Sequence, residues 1–531
     1  MKLPSIAQKF VDFYTTKNRW WIPLITGAFF SLCLPPFNHE THWVFAPFPF
    51  FSFFVLIPIF GFVIQKPLKR AIFHTFLFGT MAALGQFYWI SFVTAEGLWH
   101  LILLGTALAA CVIGLFYLVA ALFFRLIHTY LPRAYIFVFP AVWVLVDYGR
   151  SIGELSFPWA FLGYSFTPIL PLSQIASITG VWGLTFIVVL GNTLLWDLLQ
   201  SACCKKELKG NLVGIGSLGI FLVVVAVWGG FRLRTPLDPT KSVPVVCLQP
   251  NLDQFNWSNT SLEESFEVTE SMIKQVASDK PELIVMPESA LLSYIMRKTS
   301  QRRRVQSWYD STKIPMIFGG LHWDKAPSGS IYDYLVYNTA FLVDDHSGEF
   351  DMYYKIKLVP FSEAVPFEAN IPILSRVNLG EADFKRGKDH TVFSIGRIKA
   401  APYICYEIIY PRFVQRRLGD TTNMLVNVTN DGWFGRSTGP YQHAMMSRMR
   451  SIENGISLVR CANSGITMTV DPFGRLMKRT NLYERVILED KISIDRKPTI
   501  YSRWGDWFIS FSVIAVLGGI AMVLVRRLRK Q

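Results

Sequence analysis

Residues 211–228 read NLVGIGSLGIFLVVVAVW, an uncharged run in which Gly214, Gly216 and Gly219 spell a formal G-x-G-x-x-G. A dinucleotide-binding turn with that spacing needs a strand before it and an amphipathic helix after it. Here the motif lies inside about 20 apolar residues, the length that crosses a bilayer. Small residues in such a run let helices pack closely. The stretch therefore reads as a membrane span, and the polar segment after it must be explained on those terms.

Working outward, six further apolar runs precede it, near 20–37, 43–64, 71–94, 98–124, 134–149 and 178–200, and an eighth lies at 507–525. The fifth carries Pro140 and Asp147. Residues 153–173, GELSFPWAFLGYSFTPILPLS, are apolar but broken by Pro158, Pro168 and Pro171, and read as an interfacial or re-entrant loop. Composition agrees with a polytopic protein: 51% of the 531 residues are hydrophobic and only 17% charged, against about 25% in soluble domains.

A net charge of +14 invites a polyanion partner, but the distribution of charge speaks for topology. Of the 17 Lys and Arg outside residues 231–505, 16 fall on one side of an eight-span arrangement and only Arg150 on the other. The positive-inside rule then puts both termini in the cytoplasm. Nucleic acid is not expected as a partner. No small-residue cleavage site follows the first run, which reads as an uncleaved anchor. Asp147, Glu154 and Asp197 lie near span ends, with no partner expected in mid-helix, which argues against a transporter.

Segment 231–505 is thereby exported, and it reads differently. It holds 35 Lys and Arg with 30 Asp and Glu. Short β-like runs (VPVVCLQ, ELIVMPE, PMIFGGL, NTAFLVD, KAAPYICY, NMLVNVTND, GISLVRCAN) alternate with helical stretches such as SLEESFEVTESMIKQVAS. That is the pattern of an α/β enzyme domain. The expected organisation is a membrane domain with seven transmembrane helices over 1–230, a catalytic domain over 231–505, and a last helix with a basic tail over 506–531. The run Arg302-Arg303-Arg304 reads as a solvated face. His39 and His42 share a loop with no third ligand, and the seven cysteines form neither a regular framework nor a CxxC pair. No metal site and no cofactor are expected.

Three residues at or near expected strand ends carry chemistry. Glu288 ends ELIVMPES, Lys355 lies in YYKIKLVPFSEAVPF, and Cys405 lies in KAAPYICYEIIYPRF. A strand running into Cys405 with a helix beginning after it would favour the thiolate through the helix N-terminal charge. Glu288 could act as base and Lys355 could stabilise an oxyanion. Each has a plain alternative: a solvated Glu, a snorkelling Lys, an inert core Cys.

The motifs around these residues resemble the Glu–Lys–Cys triad of the nitrilase superfamily, and most closely its apolipoprotein N-acyltransferase branch. The carrying blocks are VMPES, YYKIKL, CYE, LVPFSEAVPF, TNDGWFGRSTGPYQHAMMSRMRSIENG, SFPWAFLGYS and QPNLDQFNW. Two departures are visible: Ser362 stands where Gly is usual, and Lys357 where His is common, which would put a second amine near the site. The resemblance implies eight transmembrane helices plus an exported nitrilase-like α-β-β-α sandwich, in a bacterial inner membrane with the catalytic domain periplasmic. It implies a phospholipid acyl donor, a diacylglyceryl apolipoprotein acceptor, and transfer of an sn-1 acyl chain through a Cys405 thioester. Glu288 is then general base and acid, and Lys355 the oxyanion donor. Glu363 orients Lys355, while Tyr406, Glu407 and Trp257 shape the pocket. The apolar segments ALLSYIM (290–296) and VPFEANIPILSRVNL (365–379) are expected to act as lids at a lipid entrance. A membrane-tethered amidase and a non-enzymatic lipid or lipoprotein receptor remain the alternatives.

Overall fold

A computed structural model describes residues 19–34, 48–93, 99–253, 259–291, 293–328, 333–367 and 384–528. The described chain forms two compact units that meet in sequence at Arg234/Thr235 and again at Gly505/Asp506.

The first unit is helical. Its main helices are α1 (Trp21–Ser31), α2 (Ile57–Gln65), α3 (Leu68–Phe87), α4 (Trp99–Tyr130), α5 (Tyr135–Gly149), α6 (Val181–Cys203) and α7 (Lys209–Leu233), with a C-terminal helix, Trp507–Leu528. Among the described residues, four are long and apolar enough to cross a membrane: α4, α6, α7 and the stretch Trp507–Arg526. Large side chains such as Ile220, Phe231 and Leu517 stand exposed on these helices, as lipid-facing residues do. The other expected spans are shorter or more polar. The second run is divided into Phe48–Phe51 and α2, α5 has only 15 residues, and α3 contains Lys69, Arg70, His74 and Gln86.

Three details differ from or refine the sequence reading. Of the glycines in the formal nucleotide motif, only Gly214 faces a neighbour closely, with Leu194 2.9 Å from where a Cβ would stand; Gly216 and Gly219 face open space. Close packing is therefore not the reason for all three. Asp147 is not alone: helical spacing puts Arg150 one turn on, and the two form a buried ion pair at 3.1 Å. Asp197 likewise accepts from Tyr135 at 2.8 Å and from Asn211 at 2.5 Å. The proline-broken stretch is non-helical around Phe157–Phe161, and Arg150 pins it by donating to the Trp159 carbonyl at 2.9 Å.

The second unit carries two six-stranded sheets. In chain order the strands are β1 (Ser242–Gln249), β2 (Leu283–Val285), β3 (Met316–Lys325), β4 (Tyr334–Val343), β5 (Asp351–Tyr354), β6 (Phe393–Ile395), β7 (Ile398–Ile404), β8 (Met424–Thr429), β9 (Ser457–Ala462), β10 (Met468–Val470), β11 (Leu476–Arg479) and β12 (Val486–Ser493). The first sheet runs β12-β1-β2-β3-β4-β5 and the second β11-β10-β9-β8-β7-β6. Each has a parallel trio, β1-β2-β3 or β7-β8-β9, flanked by antiparallel strands. The trios are buried on both faces and nearly continuous in apolar residues, as parallel strands must be.

The sheets stack face to face, β1 on β9, β3 on β8 and β4 on β7. The outer face of the first is covered by α8 (Asn259–Val276) and α9 (Thr299–Thr312), which bring Phe266, Ile273, Val305 and Trp308 onto Val246, Ile284 and Phe318. The second sheet is accompanied by α10 (Pro411–Arg417) and α11 (Gly439–Asn454); α11 is buried almost all round. The run 302–304 lies on α9, where Arg304 pairs with Glu263 and Glu270.

The first expected lid is not borne out where the structure describes it: Ala290, Leu291 and Ile295 are fully packed into the core beneath α9. Most of the second expected lid, including Ile373, lies outside the described residues.

Candidate active site

The three chemistry-bearing residues come from strand ends, as ligand sites in parallel sheets commonly do. Glu288 follows β2 and Cys405 follows β7, both strands of the parallel trios, and Lys355 follows the antiparallel β5. The backbone of Glu288 can sit there because β3 offers a glycine: a Cβ on Gly319 would stand 2.5 Å from the Glu288 Cα. All three side chains are buried.

Around Glu288 the carboxylate is fully engaged. Oε1 accepts from Asn338 Nδ2 at 2.8 Å and from Lys355 Nζ at 3.4 Å, and Oε2 accepts from the Asn430 N–H at 3.0 Å. The charge of this carboxylate also acts on the Cys405 thiol. Lys355 Nζ donates to Glu363 Oε1 at 2.7 Å, and Asn338 reaches the same oxygen at 3.2 Å. Glu363 Oε2 in turn accepts from the Val359 N–H at 2.9 Å, closing the loop that follows Lys355. The lysine thus stands between two carboxylates, and the asparagine bridges the same pair.

Burial sets the protonation states. Desolvation pushes the Glu288 carboxyl above its ordinary range, and Lys355 only partly offsets it. Desolvation alone would lower Lys355, but Glu363, Glu288 and Cys405 outweigh it and hold the ammonium above its usual value. The Cys405 thiol is driven up by burial first and by the Glu288 charge second. The expected thiolate-favouring helix terminus is therefore overturned. Strand β7 runs into a five-residue 3-10 turn, Cys405–Ile409, before α10 begins, and so short a turn does not compensate a desolvated sulfur. Burial holds the thiol toward its neutral form, so it needs a base, and the Glu288 carboxylate is the charge acting on it most strongly.

Cys405 itself has φ +50°, a left-handed conformation rare for a side-chain-bearing residue. Its neighbours are tied down. Glu407, wholly buried, accepts from the Tyr353 hydroxyl at 2.8 Å and from the N–H groups of Ile356, Lys357 and Ile404 at 2.7, 3.0 and 2.9 Å. It therefore joins the chain after Lys355 to the chain before Cys405. Tyr406 is buried against Tyr410, ring centroids 5.3 Å apart. Trp257 lies outside the described residues. The second amine does not join the first: Lys357 Nζ sits over the rings of Tyr410 and Phe413, at 5.3 and 5.9 Å. Strand β5 ends at Tyr354, so the alternation that would put residues 355 and 357 on one face no longer holds.

The match to known proteins divides at the same place as the chain. The "Apolipoprotein N-acyltransferase N-terminal domain" family matches residues 26–194, and the "Carbon-nitrogen hydrolase" family matches residues 248–496. An apolipoprotein N-acyltransferase from Geobacter metallireducens is 32% identical over 391 residues, 73% of this chain and 74% of the relative. The chain belongs to the apolipoprotein N-acyltransferase family. A Rickettsia prowazekii member is 29% identical over 486 residues, 89% of this chain and 94% of its own. A Bradyrhizobium diazoefficiens member is 31% identical over 406 residues, 72% of each chain.

Sequence reading overlooks two parts of the site. Asn338 is hidden in the run NTAFLVD, although a polar residue at the buried end of an apolar strand signals a required partner. The cluster Asn427, Asp431, His443 and Arg460 lies partly within the TND and QH block, where the motif is visible but the packing is not.

Proposed function

We propose that this membrane-anchored acyltransferase moves the sn-1 acyl chain of a phospholipid to Cys405, and then to the α-amine of a diacylglyceryl-cysteine at an apolipoprotein N-terminus. One observation carries the reading: a buried thiol on which the strongest acting charge is a carboxylate, itself held by a buried ammonium. Glu288 takes the thiol proton as sulfur attacks the ester carbonyl, and returns it to the departing lysophospholipid alkoxide. In the second half the amine attacks the thioester, Glu288 accepts the N–H proton, and the thiolate leaves and is reprotonated from the acid. One group alternating as base and acid is ordinary two-step covalent catalysis. Lys355 stabilises the oxyanion of both tetrahedral states. Glu363 and Asn338 hold the ammonium and the base in register, and Glu407, Tyr406 and Trp257 support the nucleophile and pocket.

The same reading includes eight membrane spans, both termini in the cytoplasm, and a periplasmic catalytic unit in a bacterial inner membrane. The charge asymmetry of the loops supports it, and lipid substrates give the membrane unit its purpose. An amidase in which water discharges the acyl-enzyme would share Glu288, Lys355 and Cys405. The deciding experiment tracks acyl-enzyme discharge in detergent. Release at least tenfold faster with a diacylglyceryl peptide bearing a free amine than with buffer alone is expected, and equal release rates would make the protein a hydrolase.

A further inference from the structure

Behind the Cys405 peptide lies a buried polar group that touches none of the reacting atoms. His443, on α11, has Nε2 3.1 Å from the Cys405 carbonyl oxygen, and Asn427 Nδ2 donates to the same oxygen at 3.3 Å. A carbonyl only accepts, so Nε2 carries a proton. On the other side of the ring, Nδ1 meets Asp431 Oδ1 at 2.9 Å and Arg460 Nη2 at 3.2 Å. Arg460 also bonds Asp431 Oδ2 at 2.5 Å and reaches the Asn427 side-chain oxygen. All four residues are essentially inaccessible to solvent. The two donors to Cys405 are thus locked to one another through one arginine and one carboxylate.

This cluster acts on a strained residue. A side-chain-bearing residue at φ +50° costs about 1–2 kcal/mol and persists only where its surroundings over-determine it. Two hydrogen bonds to its own carbonyl do that here. In a planar trans peptide the C=O and the following N–H point to opposite sides. Anchoring the Cys405 oxygen toward α11 therefore turns the Tyr406 N–H the other way.

We propose that His443, with Asn427, is a positioning residue for acyl transfer: it fixes the Cys405 carbonyl and so aims the Tyr406 N–H at the forming oxyanion. Asp431 and Arg460 fix the ring in turn. The inference rests on the thioester reading above. It assigns the QH motif a mechanical role at the nucleophile, with no contact to substrate.

The test measures Cys405 acylation by phospholipid with the full-length protein in detergent. His443→Gln can still present an N–H near the Nε2 position, whereas His443→Asn is too short to reach the carbonyl. His443→Asn is expected to lose about 10- to 100-fold in kcat, less than the roughly 10²–10³ of a lost oxyanion donor, with KM within about twofold, and His443→Gln is expected to recover most of that loss. Equal losses in both variants, a loss carried by KM, or no loss would each overturn the proposal. Should His443→Asn fail to fold by protease resistance, Asn427→Asp removes the other donor while keeping the acceptor for Arg460. About a tenfold fall in kcat is expected there, and unchanged kcat overturns the proposal. Wild-type protein forming no Cys405 adduct would overturn the thioester reading and this inference together. A normal adduct rate in wild type and all three variants would overturn this inference alone.

Discussion

The two sheets of the second unit share a plan, a parallel trio between antiparallel strands, yet they hold their functional residues by opposite means. The first sheet supplies charge. Glu288, Asn338 and Lys355 leave its strands and bond one another through side chains, with Glu363 closing the set. The second supplies the nucleophile and fixes it through its backbone: side chains of His443, Asn427 and Glu407 hold the peptide groups on either side of Cys405. A base and an ammonium need a tuned electrostatic partner, whereas a sulfur nucleophile needs a direction. Changes at the ends of the first sheet should therefore alter rate directly, and changes behind the second should alter stability and, through alignment, rate.

The largest effect that could break this contrast is at Lys355. Lys355→Met should lower kcat by about 10²–10³, the usual loss for one oxyanion donor, measured by steady-state acyl transfer. A loss below tenfold would remove Lys355 from the chemistry. Next comes Asp431. Burial opposes its charge, but Arg460 and His443 outweigh that and hold it at about 2. That lies below the ordinary Asp value of about 3.9, so its stabilisation is present in full above that value and is lost as pH falls through about 2, on the order of 2–3 kcal/mol. Asp431→Asn should lower the thermal midpoint in detergent at pH 7, with the gap to wild type closing below pH 4. A gap that does not change with pH would mean that the carboxylate charge is not what stabilises. The smallest effect is a displaced acid limb. Glu288 must be ionised to take the thiol proton, and its raised value means that kcat/KM falls tenfold per pH unit below a point above the ordinary Glu value of about 4.3. A limb at or below that value would contradict the burial of the base.

Much of this arrangement is legible in the sequence, for identifiable reasons. All seven β-like runs contain strands, because buried strands, six of them in the parallel trios, are short, apolar and bounded by turns. Strands β5, β6, β10, β11 and β12 give no such signal: β5 is DMYY, β6 has only three residues, and β12, VILEDKIS, is half-exposed and carries charges as an edge strand does. Glu288, Lys355 and Cys405 stand out by their motifs, and the structure brings them together from positions 50 and 67 residues apart along the chain. Asn338 and the His443 cluster do not, because a hydrogen bond between strands or from a helix to a distant strand end leaves no periodicity in one sequence. The thiolate expectation fails because strand-to-helix spacing cannot show that the turn is 3-10 and the sulfur buried. The lid at 290–296 is not borne out for a similar reason: an apolar segment reads the same whether it faces lipid or a core.

The proposed cycle requires Cys405 to carry the acyl group with Glu288 as its base. Intact-protein mass spectrometry after incubation with phospholipid and no acceptor tests it most directly. Wild type should gain the mass of one acyl chain on the Cys405 peptide, Glu288→Gln should gain it far more slowly, and Cys405→Ala should not gain it at all. An adduct that persists in Cys405→Ala, or that forms at the wild-type rate in Glu288→Gln, would contradict these roles.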